Sequence, residues 1–296
     1  MIINHYHKRS CPSAMKLLTS EEVQHLLLFI QEKKNPILRD IKAAFPNNDK
    51  LVDIIEKLIQ YHLIQRKDRR YYCTLEEISI EKWEQALDKT SVFVKEKIKE
   101  IQSIADNTLE YHFLIMNHCQ LLQSQWFPNY PLIFKSDLPL TMIHSFHSNR
   151  ELWLEVGTWD NSQLTLLDYF ADCQSFPILA THQPLFKLIG DVNPQFFLHH
   201  CATKLRRAQR RGKLEEEYNI FNDALEQYGY LNNGRVTFPV LNKKEGNTLI
   251  DKVSSIEKTV FSIEKGANFS FIEQQAILHQ LILQLSDEGQ KIIISK

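Results

Sequence analysis

The sequence predicts a mainly helical protein with small β-hairpins, an α+β chain headed by a winged helix-turn-helix and completed by a helical second lobe. Three observations carry this expectation. Apolar residues recur at helical spacing through most of the chain, and hairpin signals interrupt them. Residues 36–75 then run helix, tight turn, helix and alternating stretch, the order of the winged variant of the helix-turn-helix.

The first helix is predicted over Glu21 to Lys33, where Val23, Leu26, Leu27 and Ile30 form one stripe. Thr19 or Ser20 is its N-cap, and Glu21-Glu22 suits a helix start. A second helix spans Pro36 to Phe45 and breaks at Pro46-Asn47-Asn48. The third runs from Asp49 to about Tyr61, burying Leu51, Ile54, Ile55, Leu58 and Ile59. Near Leu63 the period changes from helical to alternating, and Leu63 to Thr74 becomes a hairpin with a basic tip.

After a short acidic bridge, Glu76-Glu77, the stripe Trp83, Leu87, Val94, Ile98, Ile101, Ala105 predicts a long surface helix over Glu81 to Asp106. Tyr111 to Phe127 is more densely apolar and reads as a buried helix. Pro128, Pro131 and Pro139 punctuate a loop taken as a domain boundary. Thr141 to His147 and Glu151 to Val156 alternate, and Ser148-Asn149-Arg150 turns them into a hairpin. Ser162 to Cys173 is a short helix.

Asn193-Pro194 opens a helix that runs to Arg211 and stops at Gly212. Another spans about Glu215 to Tyr228 and stops at Gly229, and Asn233-Gly234 turns the following hairpin. A stripe from Leu249 to Ile263 predicts a helix over Asn247 to Lys265, and Ser270-Phe271-Ile272-Glu273 is a capping box for the last helix. Ile292 to Ile294 reads as an edge strand. The expected domains are a winged helix at 17–78, a helical connector at 79–135 and an α+β domain with hairpins at 136–296.

Leu58-Ile59-Gln60-Tyr61-His62-Leu63-Ile64 echoes Leu225-Glu226-Gln227-Tyr228-Gly229-Tyr230-Leu231, each at a passage from helix into hairpin. The echo allows a second winged-helix-like module, although seven aligned positions do not establish duplication. From Leu185 onward, Leu188-Ile189-Gly190-Asp191-Val192-Asn193-Pro194, Ile220-Phe221, Ala224-Leu225 and Gly229-Tyr230-Leu231 resemble an uncharacterised family of low-GC Gram-positive bacteria. Ile41 to Thr74 is similar to the N-terminal part of that family. The resemblance implies a bacterial cytoplasmic protein and supplies neither catalytic residue nor ligand.

Composition narrows the function classes. The 296 residues are 43% hydrophobic, enough for about two ordinary domains with real cores. Lys+Arg (35) and Asp+Glu (36) nearly cancel to a formal charge of -1, so any affinity for polyphosphate must come from a local patch. Eight glycines, none before Gly157, leave no phosphate-cradling loop. Five cysteines without C-x-x-C spacing read as reduced thiols of a cytoplasmic protein. The first twenty residues hold no apolar run of signal length, and no membrane association is expected.

The leading functional expectation is contact with duplex DNA, with phosphate held by Arg66, Lys67, Arg69 and Arg70 of the hairpin and by Lys50 and Lys57 of the third helix. That helix carries no arginine for reading guanine. The alternative is an interaction scaffold that uses the same fold on a protein partner, and an enzyme of unknown class comes third. A secondary basic patch, Lys204, Arg207 and Arg211, shares a helix face. Its place in the last turns, with Glu215-Glu216-Glu217 opening the next helix, is what dipole complementation predicts without a ligand. His144 and His147 diverge on a strand, as do His199, His200 and Cys201 on a helix, so no metal site is expected. Glu155, Asp160, Asp168 and Asp191 offer carboxylates, yet no spacing singles out a catalytic pair, and no cofactor is implied.

Overall fold

Val23, Leu26, Leu27 and Ile30 line one side of helix α1 (Glu21–Glu32) and are all buried. Their i, i+3, i+4, i+7 spacing makes that side continuous. The same core takes Ile41 from α2 (Leu38–Ala44), Leu51, Ile55 and Leu58 from α3 (Leu51–Gln60), and Ile64 and Tyr71 from the strands β2 (Ile64–Lys67) and β3 (Arg70–Cys73). The computed structural model describes residues 3–6, 17, 20–74, 76–126, 132–136, 141–158, 165–173, 178, 182–214, 219–260 and 269–295. It is mainly helical with small antiparallel hairpins, and it divides into two compact units. The first unit is formed by residues 1–79, 129–138 and 173–178.

β2 and β3 pair antiparallel in the register Lys67↔Arg70, Arg66↔Tyr71. The turn between them uses Asp68 and Arg69 in left-handed conformations (φ 52° and 61°), the geometry of a two-residue primed turn. Tyr71 N donates to Pro36 O at 2.9 Å, and Ile37 bridges Arg70, so the residues before α2 extend the hairpin sideways. The unit adds a three-stranded sheet that the sequence did not announce. β5 (Leu132–Ser136) lies between β1 (Ile3–Tyr6), antiparallel, and β4 (Glu76–Ile78), parallel. Residues 132–136, expected as loop, and Glu76-Glu77, expected as a bridge, are therefore strands.

The second unit is formed by residues 80–128, 139–172 and 179–296. The expected connector of 79–135 does not stand apart, because its helices belong to this core. α4 (Ile80–Ile104) packs on α11 (Phe271–Ile282), where Gln280 Nε2 donates to Thr90 Oγ1 at 2.8 Å and Trp83 meets the His279 ring edge-on. α5 (Thr108–Trp126) covers one face of a four-stranded sheet of order β10-β11-β7-β6. Its members are β6 (Thr141–His147), β7 (Glu151–Thr158), β10 (Val240–Leu241) and β11 (Lys291–Ser295). Ile292 to Ile294, expected at an edge, are interior instead. They pair parallel with β10 and antiparallel with β7, and all three are buried.

The other face of the sheet is covered by α6 (Leu166–Asp172) and by a helix-and-hairpin segment. That segment comprises α7 (Gln183–Ile189), α8 (Pro194–Arg211), α9 (Ile220–Gln227), β8 (Leu231–Asn232) and β9 (Arg235–Val236). The predicted helix signals hold at α8. The Asn193 side chain accepts from Phe196 N, and Gly212 closes the helix with φ 78°. The Ser270 and Glu273 side chains each cap the backbone of the other, opening α11. α10 (Lys243–Val260) begins four residues earlier than predicted, and residues 261–268 lie outside the described residues, as do Ser162 and 215–218.

The two helix-to-hairpin passages end in the same backbone geometry. In α3, Leu63 N donates to Leu58 O (2.8 Å) and His62 N to Ile59 O (3.0 Å), with His62 at φ 57°. In α9, Tyr230 N donates to Leu225 O (2.7 Å) and Gly229 N to Glu226 O (3.1 Å), with Gly229 at φ 67°. Both are Schellman closures, in which a left-handed residue lets two orphan carbonyls find donors. The hairpin after α9 turns through Asn233 and Gly234 at φ 51° and 75°, matching the Asp68-Arg69 turn.

Candidate nucleic-acid interface

The hairpin of the first unit is pinned at its base and bare at its tip. Ile64 and Tyr71 are buried, whereas Arg66, Lys67, Asp68, Arg69 and Arg70 are all exposed. Two of the four cations have partners within the unit. Arg66 lies over the Tyr71 ring at 5.7 Å, and Arg70 Nη1 donates to Asn35 O at 3.2 Å. Lys67 and Arg70 stand directly opposite each other at the last rung of the ladder, a like-charge pairing that works against the hairpin. Lys50, at the N-cap of α3, and Lys57 are exposed too, alongside Val52, Asp53 and Glu56.

The secondary basic patch lies on α8, whose buried side is Phe197, Leu198, Cys201, Ala202, Leu205 and Ala208. Arg207 and Arg211 are exposed and Lys204 is half-buried, so the three share the outward face as their spacing predicts. Arg206 lies to one side. It donates to Ala202 O (3.2 Å) and Thr203 Oγ1 (3.0 Å) and sits 3.8 Å from the Glu151 carboxylate.

Sequence reasoning missed a buried ionisable network on the α6 side of the sheet. Glu151, Trp153, Glu155 and Gly157 alternate with Leu152, Leu154 and Val156 along β7, and the polar side of that alternation is buried. Register places His144 and Lys291 on either side of Glu155. Tyr230 donates its hydroxyl to Glu155 Oε1 at 2.5 Å and accepts from Leu166 N at 2.9 Å. His144 Nε2 meets Asp168 Oδ1 at 2.5 Å, and Asp168 Oδ2 accepts from Thr165 Oγ1 at 2.9 Å. Lys291 Nζ caps Tyr228 O at 2.9 Å and lies 4.1 Å above the Tyr230 ring.

Burial governs the charges in this network. It pushes the Glu155 carboxyl above its ordinary range, pulls the Lys291 ammonium down, and lifts the Tyr230 phenol well above 10 with Glu155 adding to the rise. For His144, burial opposes the charge, but the adjacent Asp168 outweighs it and holds the imidazole above 6.5. Two of the four carboxylates that no spacing singled out, Glu155, 0% exposed, and Asp168, 6% exposed, share this buried cluster. Thr165 caps α6, its Oγ1 accepting from the Asp168 N–H at 3.0 Å while its hydroxyl donates to the Asp168 carboxylate. Asp191 is exposed, and Asp160 lies outside the described residues. The predicted turn could not give this contact: three residues at 148–150 would set His147 opposite Glu151 and His144 opposite Leu154, whereas the observed register is one residue on, His147↔Leu152 and His144↔Glu155.

The histidines separate as expected. His144 turns to Asp168, while the Gln120 Nε2 on α5 reaches both Ser145 and His147 on the opposite face. His199 pairs with Glu151 at 2.6 Å and His200 packs on Phe196 and Phe221. Among the described residues no three His, Cys, Asp or Glu side chains gather as a metal site, and no helix is long and apolar enough to cross a membrane. Cys119 and Cys201 are buried, which pushes both thiols up, away from reactivity.

Residues 3–107 match a family model, Domain of unknown function (DUF1803). The DUF1803 match covers α1 to α3, the basic hairpin and α4, so the hairpin cations lie inside it. The segment from Leu185 to Leu231 that resembles an uncharacterised family lies outside the DUF1803 match. No curated protein and no solved structure matches the chain.

Proposed function

We propose that α1 to β3 is a winged helix-turn-helix that contacts the backbone of duplex DNA, with β2–β3 as its wing. The observation that carries this reading is the wing tip. Arg66, Lys67, Arg69 and Arg70 are exposed, and Lys67 opposes Arg70 in a pairing that stability alone disfavours. Phosphate oxygens supply the missing counter-charge. The Ile37 bridge to Arg70 and the order helix, helix, helix, hairpin support the winged-helix reading. By the same token, α8, α9 and β8–β9, with their matching Schellman closure and turn, are read as a second winged-helix-like module. The role belongs in the cytoplasm of a bacterium, as the sequence resemblance implies.

The second reading, a protein-docking module, draws on α3, whose outward Val52, Asp53 and Glu56 suit a partner surface better than phosphate. Anisotropy titration of a labelled duplex over a range of salt separates the two. About three phosphate contacts give a log–log salt slope near roughly −3, and Arg69→Ala with Arg70→Ala removes most of the affinity. Absence of duplex binding at low salt, or affinity indifferent to salt, overturns the DNA reading.

A further inference from the structure

The exposed side of α8 carries more than a run of basic residues. Two surface depressions follow one another along the same flank of the helix. The first, about 470 Å³, lies between the opening turns of α8 and the β6–β7 turn, and is lined by Arg150, Phe196 and His199. The second, about 560 Å³, lies between later turns and residues 240–245, and is lined by Thr203, Arg206, Arg210 and Asn242. His199 and Arg206 are seven residues apart, two helical turns, so the depressions are about 10 Å from each other along the axis.

Phe196 is an apolar ring that folding leaves in water. It is 58% exposed, the one aromatic among the six large hydrophobics left exposed in the described residues. It is also held in place: its ring sits 4.2 Å from the His200 ring, which stacks on Phe221 at 5.2 Å and 16°. A rigid, solvent-facing aromatic at the mouth of a depression is a platform for another planar ring.

The surrounding charge is positive once pairings are followed. Glu151 lines the first depression, but its side chain is 2% exposed. It accepts from His199 Nδ1 at 2.6 Å and Ser148 Oγ at 3.2 Å, with Arg206 at 3.8 Å. With Nδ1 engaged, His199 turns Nε2 to Arg150 Nη1 at 3.3 Å. Glu245 lines the second depression and accepts from Asn242 N at 3.1 Å. Against these two carboxylates stand Arg150, Arg206 and Arg210 in the depressions and Lys204, Arg207 and Arg211 on the adjoining face.

We infer that this flank of α8 binds single-stranded nucleic acid, with Phe196 stacking on a base and the arginines following the phosphates. The pairing of an aromatic platform with a basic track favours a single strand over a duplex, because only a single strand offers its base faces for stacking. The site lies on the second unit and the β2–β3 hairpin on the first, and it does not depend on the reading given to that hairpin.

The test is anisotropy titration of the full chain at low salt with a labelled oligothymidine and, in parallel, a labelled duplex. The expected result is oligothymidine binding that Phe196→Ala weakens roughly five- to hundredfold, that Phe196→Trp retains, and that Arg207→Glu with Arg210→Glu abolishes. Circular dichroism melts matching wild type show that these exposed substitutions leave the fold intact. Arg69→Ala with Arg70→Ala leaves oligothymidine binding in place whatever it does to the duplex, so the two sites fail independently. No oligothymidine binding, binding unchanged in Phe196→Ala, or loss of oligothymidine binding in the wing variant would each overturn the assignment.

Discussion

The carboxamide of Gln123 on α5 holds both backbone groups of Ile143 on β6: Nε2 donates to the Ile143 carbonyl at 3.0 Å, and Oε1 accepts from the Ile143 N–H at 3.0 Å. β6 is an edge strand of the sheet, so among the described residues one of its sides has no neighbouring strand. A side-chain amide carries the same donor and acceptor as a peptide unit, and here it stands in for one rung of a ladder. Gln123→Leu is expected to destabilise by about 1–3 kcal/mol for each buried backbone group left unsatisfied. Gln123→Glu is expected to lie between, keeping the acceptor and losing the donor. Urea unfolding of the three proteins checks the order, and a Leu variant as stable as wild type would contradict it.

The two primed turns invite an exchange. Asp68 and Arg69 occupy the left-handed positions that Asn233 and Gly234 fill in the second unit. Replacing Asp68-Arg69 by Asn-Gly relieves a non-glycine residue at positive φ, and a gain of about 0.5–1 kcal/mol is expected in thermal melts. The reverse holds at the helix end. Gly229→Ala meets no atom closer than Lys291 Nζ at 3.9 Å, so its expected loss of about 1 kcal/mol is conformational alone. A neutral Gly229→Ala would show that the left-handed closure is not enforced.

Gly157 is required for a different reason. A Cβ there would stand 2.4 Å from His144 Nε2 and 3.3 Å from Asp168 Oδ2. Gly157→Ala therefore has to push the His144 ring off Asp168, and overpacking of this kind costs about 1–3 kcal/mol. Chemical-shift titration of the His144 imidazole should show its pKa falling back towards 6.5 or below once Asp168 is displaced. A retained raised pKa in the alanine variant would mean that the strand shifted instead.

Burial, with the Lys97 charge adding, pulls the His118 imidazole down to about 3 from 6.5. The folded protein then binds fewer protons than the unfolded chain between those values. The stability this histidine contributes is present above pH 6.5 and lost as pH falls towards 3. His144 has the opposite sign, since its raised pKa makes its contribution full below 6.5 and lost as pH rises through the folded value. His118→Phe is expected to flatten stability between pH 6.5 and 4 relative to wild type, measured as urea midpoints. Parallel profiles for the two proteins would refute the assignment.

Leu58 is 0% exposed at the centre of the first unit's core. Leu58→Ala is expected to cost about 2–5 kcal/mol, while Arg69→Ala with Arg70→Ala stays within about 0.5 kcal/mol of wild type. Melting curves of both variants test whether the hairpin cations are free of structural duty.

The legible parts of this fold are those fixed by neighbours in sequence. Val23 to Ile30, the Asn193-Pro194 start, the Ser270-Glu273 box and the Asn233-Gly234 turn each specify their element within a few residues. The exposure of the hairpin cations, near a turn, was legible for the same reason. What could not be read depends on partners far along the chain. Leu132–Ser136 becomes a strand because Ile3–Tyr6 and Glu76–Ile78 flank it. Glu155 becomes a buried acid because Tyr230 and Lys291 come to it. In sequence, nothing sets Phe196 apart from its neighbour Phe197. Only the burial of Phe197 and Leu198 beside it shows which side of α8 it occupies.

The position of β11 between β7 and β10 bears on how the chain is made. β7 finds β6 at once across a short turn, but its other edge stays open until residues 291–295 have left the ribosome. At roughly 5–20 residues per second, that wait is on the order of ten seconds. Throughout it, the nascent second unit shows a bare strand edge and a half-covered apolar face, while α1 to β3 have long been free to pack. The interval is when a holdase chaperone has most to protect, and a ribosome that stalls in α11 releases a product whose central sheet is incomplete.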